Sequence, residues 1–430
     1  MNLNLILVGS NPLPCYVQAA YVLKKNRPEE EKRYLPVPDE ILFVTTEATK
    51  EFAENIQKLL EEKEAIADCT MQCCNLKDGR DAKEIEDQIK EKLDAILEKK
   101  SYHHILLNNT GGTKVMTTHA ALLCQKYAQE NSIQVVECYV DPDKNRFRCF
   151  CLNNGETEIY PKEGQPILQD QVQMSVRELI ELHYGTSVVI EDRNVEVREE
   201  HFEEDIKKLC GTDQQSFIRI SERILNQFDV YKEFYKIWNT RDKRKDEKKE
   251  EIKKDPKLNE LFKDVNEKVL LETLKNKPFD FWGRGDWLEL YFYLALREVK
   301  QKLQKEGKNF DLVWSCKVRK DLGSKEFEVD VVTVRGFIMT LYSLTMAEPG
   351  ETRIAKGKWF EAVYRTDQMG GGHGRTELVC LLSDEDGTSR LDDFVRDLER
   401  SDADRSIRIK TIESLKNYET LKESLMAAIE

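Results

Sequence analysis

Two groups of residues in this chain have types and spacings that do chemistry. The first is the run Asn108-Asn109-Thr110-Gly111-Gly112-Thr113-Lys114, which follows the apolar stretch HILL and precedes the helical-looking VMTTHAALLCQKYAQ. Adjacent glycines let a backbone approach an anion closely, and the start of a helix offers unpaired N–H groups and a positive dipole end. Lys114 adds a full charge. The result is a phosphate cradle, although the pattern is neither GxxxxGK[ST] nor GxGxxG. The alternative reading is a tight strand-to-helix turn that holds no ligand.

The second group is acidic: Glu289 in GDWLEL, with Glu328 and Asp330 in FEVDVV. One carboxylate from a helix and one from a strand can hold a hard divalent cation such as Mg²⁺ or Mn²⁺, which prefers oxygen ligands. Such a metal polarises a phosphodiester and lowers the pKa of a bound water. Strand alternation puts Glu328 and Asp330 on one face and Val329 and Val331 on the other. An acid within an apolar strand is costly without a partner, which makes Asp330 the more telling position. Simple ion pairs to Lys317 or Arg319 are the competing explanation.

Between these groups and the carboxy terminus lies a basic and aromatic stretch, with Lys356, Lys358 and Arg365 interleaved by Trp359 and Tyr364. Such a combination suits single-stranded nucleic acid, through phosphate pairing and base stacking. A helix that packs its aromatics and solvates its charges is the plainer reading. The glycine run through Gly374 ends that helix, and neither His373 nor the other histidines show a metal-ligand spacing.

The elements that must position these residues follow from periodicity. Over the first 150 residues, strand-like runs alternate with helical ones: NLILVG, EILFVTT, ADCTMQCCNL, HHILLNN and QVVECYVD, separated by amphipathic helices. This order predicts a parallel sheet with helices on both faces and ligands at the carboxyl ends of the strands. The Gly9-Ser10-Asn11 turn and the NNTGGTK turn both fall at that edge. Residues 151–275 read as a connector of short strands and then charged helices, including RDKRKDEKKEEIKKDPK, a solvated helix or mobile loop. Residues 276–430 form a second α/β unit, with the order helix, three strands, helix, strand.

Composition sets the outer limits. A chain of 430 residues exceeds one ordinary core and suggests two or three domains. No apolar run reaches the roughly 18 residues needed to span a membrane, and the apolar start lacks a basic lead-in, so a first core strand and a cytoplasmic setting are expected. The cysteines are scattered and read as reduced, buried thiols. A formal charge of −13 repels phosphate overall, so any nucleic-acid site must be local.

Taken together, N-x-TGGTK-x-M from Asn108 to Met116, the segment SVRELIELHYG, and the GDWLE and EVDVV elements resemble a CRISPR-associated Rossmann-fold (CARF) protein fused to a PD-(D/E)xK-type nuclease domain. The resemblance spans nearly the whole chain. It implies a homodimer that binds a cyclic oligoadenylate, with cyclic tetra-adenylate the first candidate, through Ser10, Asn11, Thr110, Gly111, Gly112, Thr113 and Lys114. It further implies a restriction-endonuclease-like domain that cleaves DNA or RNA with Mg²⁺ or Mn²⁺ on Glu289 and Asp330, when the ligand is bound, in type III CRISPR defence. Glu328 is an additional ligand or base. Family members carry a lysine on the strand after EVDVV, where this chain has Thr345. Either Lys356 or Lys358 replaces that lysine, or the domain is a degenerate nuclease and the protein a ligand-gated binding protein.

Overall fold

The computed structural model describes residues 1–63, 69–141, 144–192, 201–239, 247, 251–252, 254–264, 281–283, 285–319, 326–346, 352–381, 389–401 and 407–429. Much of the run RDKRKDEKKEEIKKDPK lies outside them, as does the expected start of the second unit at 276.

The first sheet is built from β1 (Asn2–Leu7), β2 (Glu40–Thr46), β3 (Thr70–Leu76), β4 (His104–Asn108), β5 (Gln134–Asp141), β6 (Arg146–Cys151) and β7 (Thr157–Tyr160). Its order is β3-β2-β1-β4-β5-β6-β7, with β1 to β5 parallel and β6 and β7 added as antiparallel strands. The sheet therefore continues to Tyr160, beyond the limit at 150 read from the sequence. Helices α1 (Leu13–Val22), α2 (Lys50–Glu61), α3 (Ala82–Leu97) and α4 (Lys114–Asn131) cross over between the parallel strands. Amphipathic spacing sets which side each helix covers. Ile85, Ile89, Met116 and Ala120 of α3 and α4 bury Leu3, Leu5 and Leu7 on one face. On the other face Val17 and Ile56 of α1 and α2 pack with Ile6.

The segment expected to be a connector is structural. Helix α5 (Val176–Tyr184) starts with a capping box, in which Ser175 and Glu178 satisfy each other's backbone N–H groups. Its Leu179 and Ile180 belong to the same apolar cluster as Ile6 of the first sheet and Val332, Leu341 and Ala362 of the second. One core thus runs from unit to unit. Strand β8 (Val189–Glu191) pairs antiparallel with the first strand of the second sheet. Helices α6 (Phe202–Cys210), α7 (Gln214–Asn226), α8 (Phe228–Asn239) and α9 (Pro256–Leu261) bury their apolar faces in the second unit's own core.

That unit opens with α10 (Asp286–Lys305), followed by β9 (Phe310–Arg319), β10 (Phe327–Arg335) and β11 (Ile338–Thr345). After α11 (Thr352–Gly370) come β12 (Arg375–Cys380), α12 (Ser389–Ser401), β13 (Arg408–Lys410) and α13 (Tyr418–Ile429). The sheet order is β13-β12-β11-β10-β9-β8. Trp287 and Leu290 of α10 pack on Trp314, Val331 and Tyr342 on one face, while α11 lies against β11 and β12 on the other.

Alternation along β10 departs from the sequence reading. Val329 belongs to the core shared with α5, whereas Val331 belongs to the core under α10. The partner strand changes with it, since Cys316 joins the first core and Trp314 the second. Both strands therefore switch faces at Ser315 and Asp330, and Ser315 adopts a left-handed φ of 48°. This local irregularity moves the Asp330 side chain out of simple alternation.

Candidate functional site

The TGGTK turn joins β4 to α4 at the carboxyl edge of the first sheet. Buried Asn108 ends the strand, and its Oδ1 accepts the Thr110 N–H at 3.0 Å. Thr110 Oγ1 accepts the Val140 N–H at 3.3 Å, which leaves its own O–H available to donate. Thr113 caps α4: its hydroxyl accepts from Met116 N at 3.1 Å and donates to Gly79 O at 2.7 Å. That hydroxyl is spent on the protein. Gly79 belongs to the loop after β3, a neighbour not singled out in the sequence.

The glycines serve a different contact from the one expected. A Cβ on Gly9 would lie 2.7 Å from Gly112 N, and one on Gly111 would overlap the Leu7 carbonyl. Gly112 also has a φ of 78°. The two loops thus touch backbone to backbone, and the missing side chains admit the neighbouring loop. What the turn offers an anion is the N-terminus of α4, the Thr110 hydroxyl and the Lys114 ammonium. Lys114 is exposed and makes no ion pair among the described residues. Ser10 is exposed nearby in sequence to Asn11, whose Oδ1 accepts the Leu13 N–H at 3.2 Å at the start of α1.

The second site is a narrow cleft between β10, β11 and α11, lined by Glu328, Asp330, Ser343, Lys358, Glu361 and Arg365. Asp330 Oδ2 accepts from Leu344 N at 2.7 Å and from Ser343 Oγ at 3.4 Å. Its Oδ1 lies 3.9 Å from Lys358 Nζ, with the Asp330 side chain only 12% exposed. Burial pushes the Asp330 carboxyl above its usual range; Lys358 and the Leu344 N–H oppose that shift, and Glu328 adds to it. Glu328 is itself bonded to the Ser315 hydroxyl.

Several sequence expectations are sorted by this geometry. Lys358 reaches Asp330, whereas Lys356 pairs with Asp397 of α12. Lys317 and Arg319 pair with Glu326 and Glu191. Glu289 does not line the cleft: Trp314 Nε1 donates to its Oε2 at 3.2 Å on the α10 side of the sheet. Trp359 is 1% exposed and packs with Leu378 and Phe394, so it is a core residue and no stacking platform. Thr345 is buried on β11. The cleft also holds Ser343, Glu361 and Arg365, and the spacing of 358, 361 and 365 on one helical stripe is the sequence signal for the last two.

The donor set suits a small divalent cation. Mg²⁺ is commonly held by one or two carboxylates with substrate phosphates and water completing its shell. Glu328 adds to the cost of ionising Asp330 in this partly buried cleft, and a cation relieves that repulsion. Among the described residues no three acidic, histidine or cysteine side chains converge. No described helix is long and apolar enough to cross a membrane.

Comparison with known proteins agrees with this architecture. The family model of the Card1 CARF domain matches residues 29–162. The crystal structure of protein VC1899 from Vibrio cholerae superposes with a TM-score of 0.64 at 13% identity, covering 100% of this chain and 98% of that one. The structure of Can2 from Sulfobacillus thermosulfidooxidans in complex with cyclic tetra-adenylate gives a TM-score of 0.58 at 16% identity, covering 100% of both chains. At these identities the likeness is one of fold. Comparison with curated protein sequences gives no match. The chain thus resembles the Card1 CARF domain over residues 29–162, a stretch joined through a shared core to a second α/β unit.

Proposed function

We propose that the protein is a cyclic oligoadenylate-gated, metal-dependent nuclease of type III CRISPR defence that works as a homodimer. The observation that carries the catalytic half is Lys358 beside Asp330 in the α11 cleft. The chain lacks a lysine on β11, and the neighbouring helix supplies one to the same carboxylate.

In this reading the ligand's phosphates sit at the N-terminus of α4, with Lys114 pairing one phosphate and Thr110 donating to an oxygen. Cyclic tetra-adenylate, which the Can2 structure holds, is the first candidate. A cyclic ligand on a two-fold axis gives two copies equivalent phosphates to bind. Exposed Leu122, Tyr139 and Phe150 lie on α4, β5 and β6, on the side of the first sheet that α4 covers, and suit burial against a second copy.

In the cleft, Asp330 and Glu328 would hold Mg²⁺ or Mn²⁺, which supplies Lewis-acid activation of the phosphodiester and of a water. Lys358 carries the positive charge that stabilises the developing phosphoryl charge. The Ser343 hydroxyl and the Leu344 N–H orient the Asp330 carboxylate. Glu289 keeps a positioning role, through its bond to Trp314 under β9.

The decisive experiment incubates the purified protein with labelled single-stranded and duplex DNA and RNA and Mn²⁺, with and without cyclic tetra-adenylate. Cleavage only with ligand is expected; equal cleavage in both conditions sinks the gating. A second reading, a ligand-gated binding protein without catalysis, is favoured by Thr345 and Ser343, which put no charge on β11. Ligand binding by calorimetry with no cleavage of any nucleic acid would select it.

A further inference from the structure

The helix that supplies Lys358 carries three further side chains whose surroundings the cleavage chemistry leaves unused. Arg365 lines the cleft with Asp330 and Lys358. Its guanidinium lies 4.0 Å from the Phe327 ring centroid and 5.4 Å from that of Tyr364. Nη1 donates to Gln368 Oε1 at 2.8 Å, but the buried Nε has no hydrogen-bond partner among the described residues. A guanidinium held between two rings is restrained in position, and its planar fork suits a phosphate. An anion entering the cleft would meet donors already in place.

Beside it, Tyr364 is 58% exposed and Phe360, one turn earlier, is 45% exposed. Large aromatic faces left in water on one helix are unusual unless something covers them. The helical rise sets residues 360 and 364 roughly 6 Å apart along the axis and on one side of the helix, so each ring can take one unstacked base. A side chain at Gly357, a turn further back, would meet nothing within 4 Å, so the face is open there. Lys358 and Arg365 offset the carboxylates of Glu328, Asp330 and Glu361 in the same cleft, within a chain whose net charge is −13.

We propose that Arg365 and Tyr364 form a nucleotide subsite beside the cleft, in which Arg365 holds a phosphate, Tyr364 stacks a base and Phe360 takes the next one. The occupant is a single-stranded nucleic acid, because the faces of a duplexed base are already covered by its neighbours. This subsite rests on the nucleic-acid reading of the cleft and names the form of the substrate.

The test is fluorescence anisotropy with a labelled single-stranded oligonucleotide and its duplex, in EDTA so that nothing is cleaved, with cyclic tetra-adenylate present. Tyr364→Ala should weaken single-strand binding by about 5- to 150-fold, while Tyr364→Phe, which keeps the ring, stays near wild type. Duplex binding should be weak and indifferent to both changes. Because Tyr364 is exposed, these variants keep the fold; Arg365→Lys, which keeps the charge but loses the fork, should fall between them. Wild-type binding that Tyr364→Ala leaves unchanged, or a Tyr364→Phe variant as weak as Tyr364→Ala, overturns the subsite and leaves the nuclease reading standing. A wild-type protein that neither binds nor cleaves any nucleic acid overturns both.

Discussion

The side chain of Asn11 rests directly on the α-carbon of Gly371, so closely that a Cβ there would overlap its amide. Asn11 belongs to the loop after β1 that touches the TGGTK turn, and Gly371 follows the last residue of α11. One continuous set of contacts therefore joins the TGGTK turn to the helix that carries Lys358.

Gly371→Ala tests that contact. Gly371 has a φ of 60°, so alanine is strained as well as overlapped, and a loss of about 1–3 kcal/mol is expected in chemical denaturation. The informative measurement is ligand-dependent cleavage at a temperature where the variant is folded. Cyclic tetra-adenylate binding should persist while the stimulation of cleavage drops. Full stimulation in the variant would show that coupling runs elsewhere.

Lys356 and Lys358 should behave very differently. Removing the ammonium beside Asp330 with Lys358→Ala is expected to lower the cleavage rate by roughly 100-fold or more, as for other preorganised charge stabilisers. Lys356→Ala breaks only the pair with Asp397 and should stay within about threefold, since partly exposed ion pairs contribute little. Single-turnover rates at saturating ligand check this, and equal loss in both variants would refute the assignment of Lys358.

Asp330 links the cleft to pH. Its carboxyl titrates above the ordinary value of about 3.9 because of burial, so between the two values the folded protein binds more protons than the unfolded chain. Stability therefore falls as pH rises through the folded value. Asp330→Asn should raise the thermal midpoint at pH 8, and the gain should vanish toward pH 3. Added Mn²⁺ should stabilise the wild type at pH 8 and leave Asp330→Asn unmoved. A thermal-shift series over pH, with and without metal, measures both effects.

Lys114→Ala removes the one full charge of the TGGTK turn. Affinity for cyclic tetra-adenylate should fall about tenfold or more, and its salt dependence should weaken, because a charge-assisted phosphate contact is lost. Titration calorimetry at two salt concentrations reads both. Unchanged affinity would move the ligand away from this turn.

His183 gives an acid limit to the fold. Burial pushes its imidazole down to about 4, with Nδ1 on the Leu179 carbonyl at 3.0 Å. Between about 6.5 and that value the unfolded chain binds the extra proton, so stability falls as pH drops across the window. Denaturation midpoints at pH 7 and pH 4.5 should differ, and His183→Phe should narrow the difference.

Much of this architecture is legible in the sequence for a simple reason. Apolar period and turn chemistry are local, so the β-α alternation through Asp141 and the placement of Ser10, Asn11 and TGGTK at the carboxyl edge follow directly. What was not legible depends on partners distant in sequence. The face switch at Ser315 and Asp330 requires both strands at once. Lys356 and Lys358 sit two residues apart on a helix, about 200° around its axis, and only the packing of α11 decides which one meets Asp330. The same rotation buries Trp359 and exposes Phe360 and Tyr364. Glu289 is turned toward Trp314 by the seating of α10. The close approach of Leu7 and Gly9 to the glycines of the turn likewise depends on a strand and a loop distant in sequence.

Strand β8 pairs with β9 across a long stretch of chain, Ile190 meeting Val318. During synthesis it emerges well before its partner, and the helices α6 to α9 are made in between. The amino-terminal sheet can close on the ribosome as its strands appear, but the second sheet must wait with one edge already in place. Dividing the gene between the two units would strand β8 with the wrong half and leave β9 as a bare edge prone to self-association.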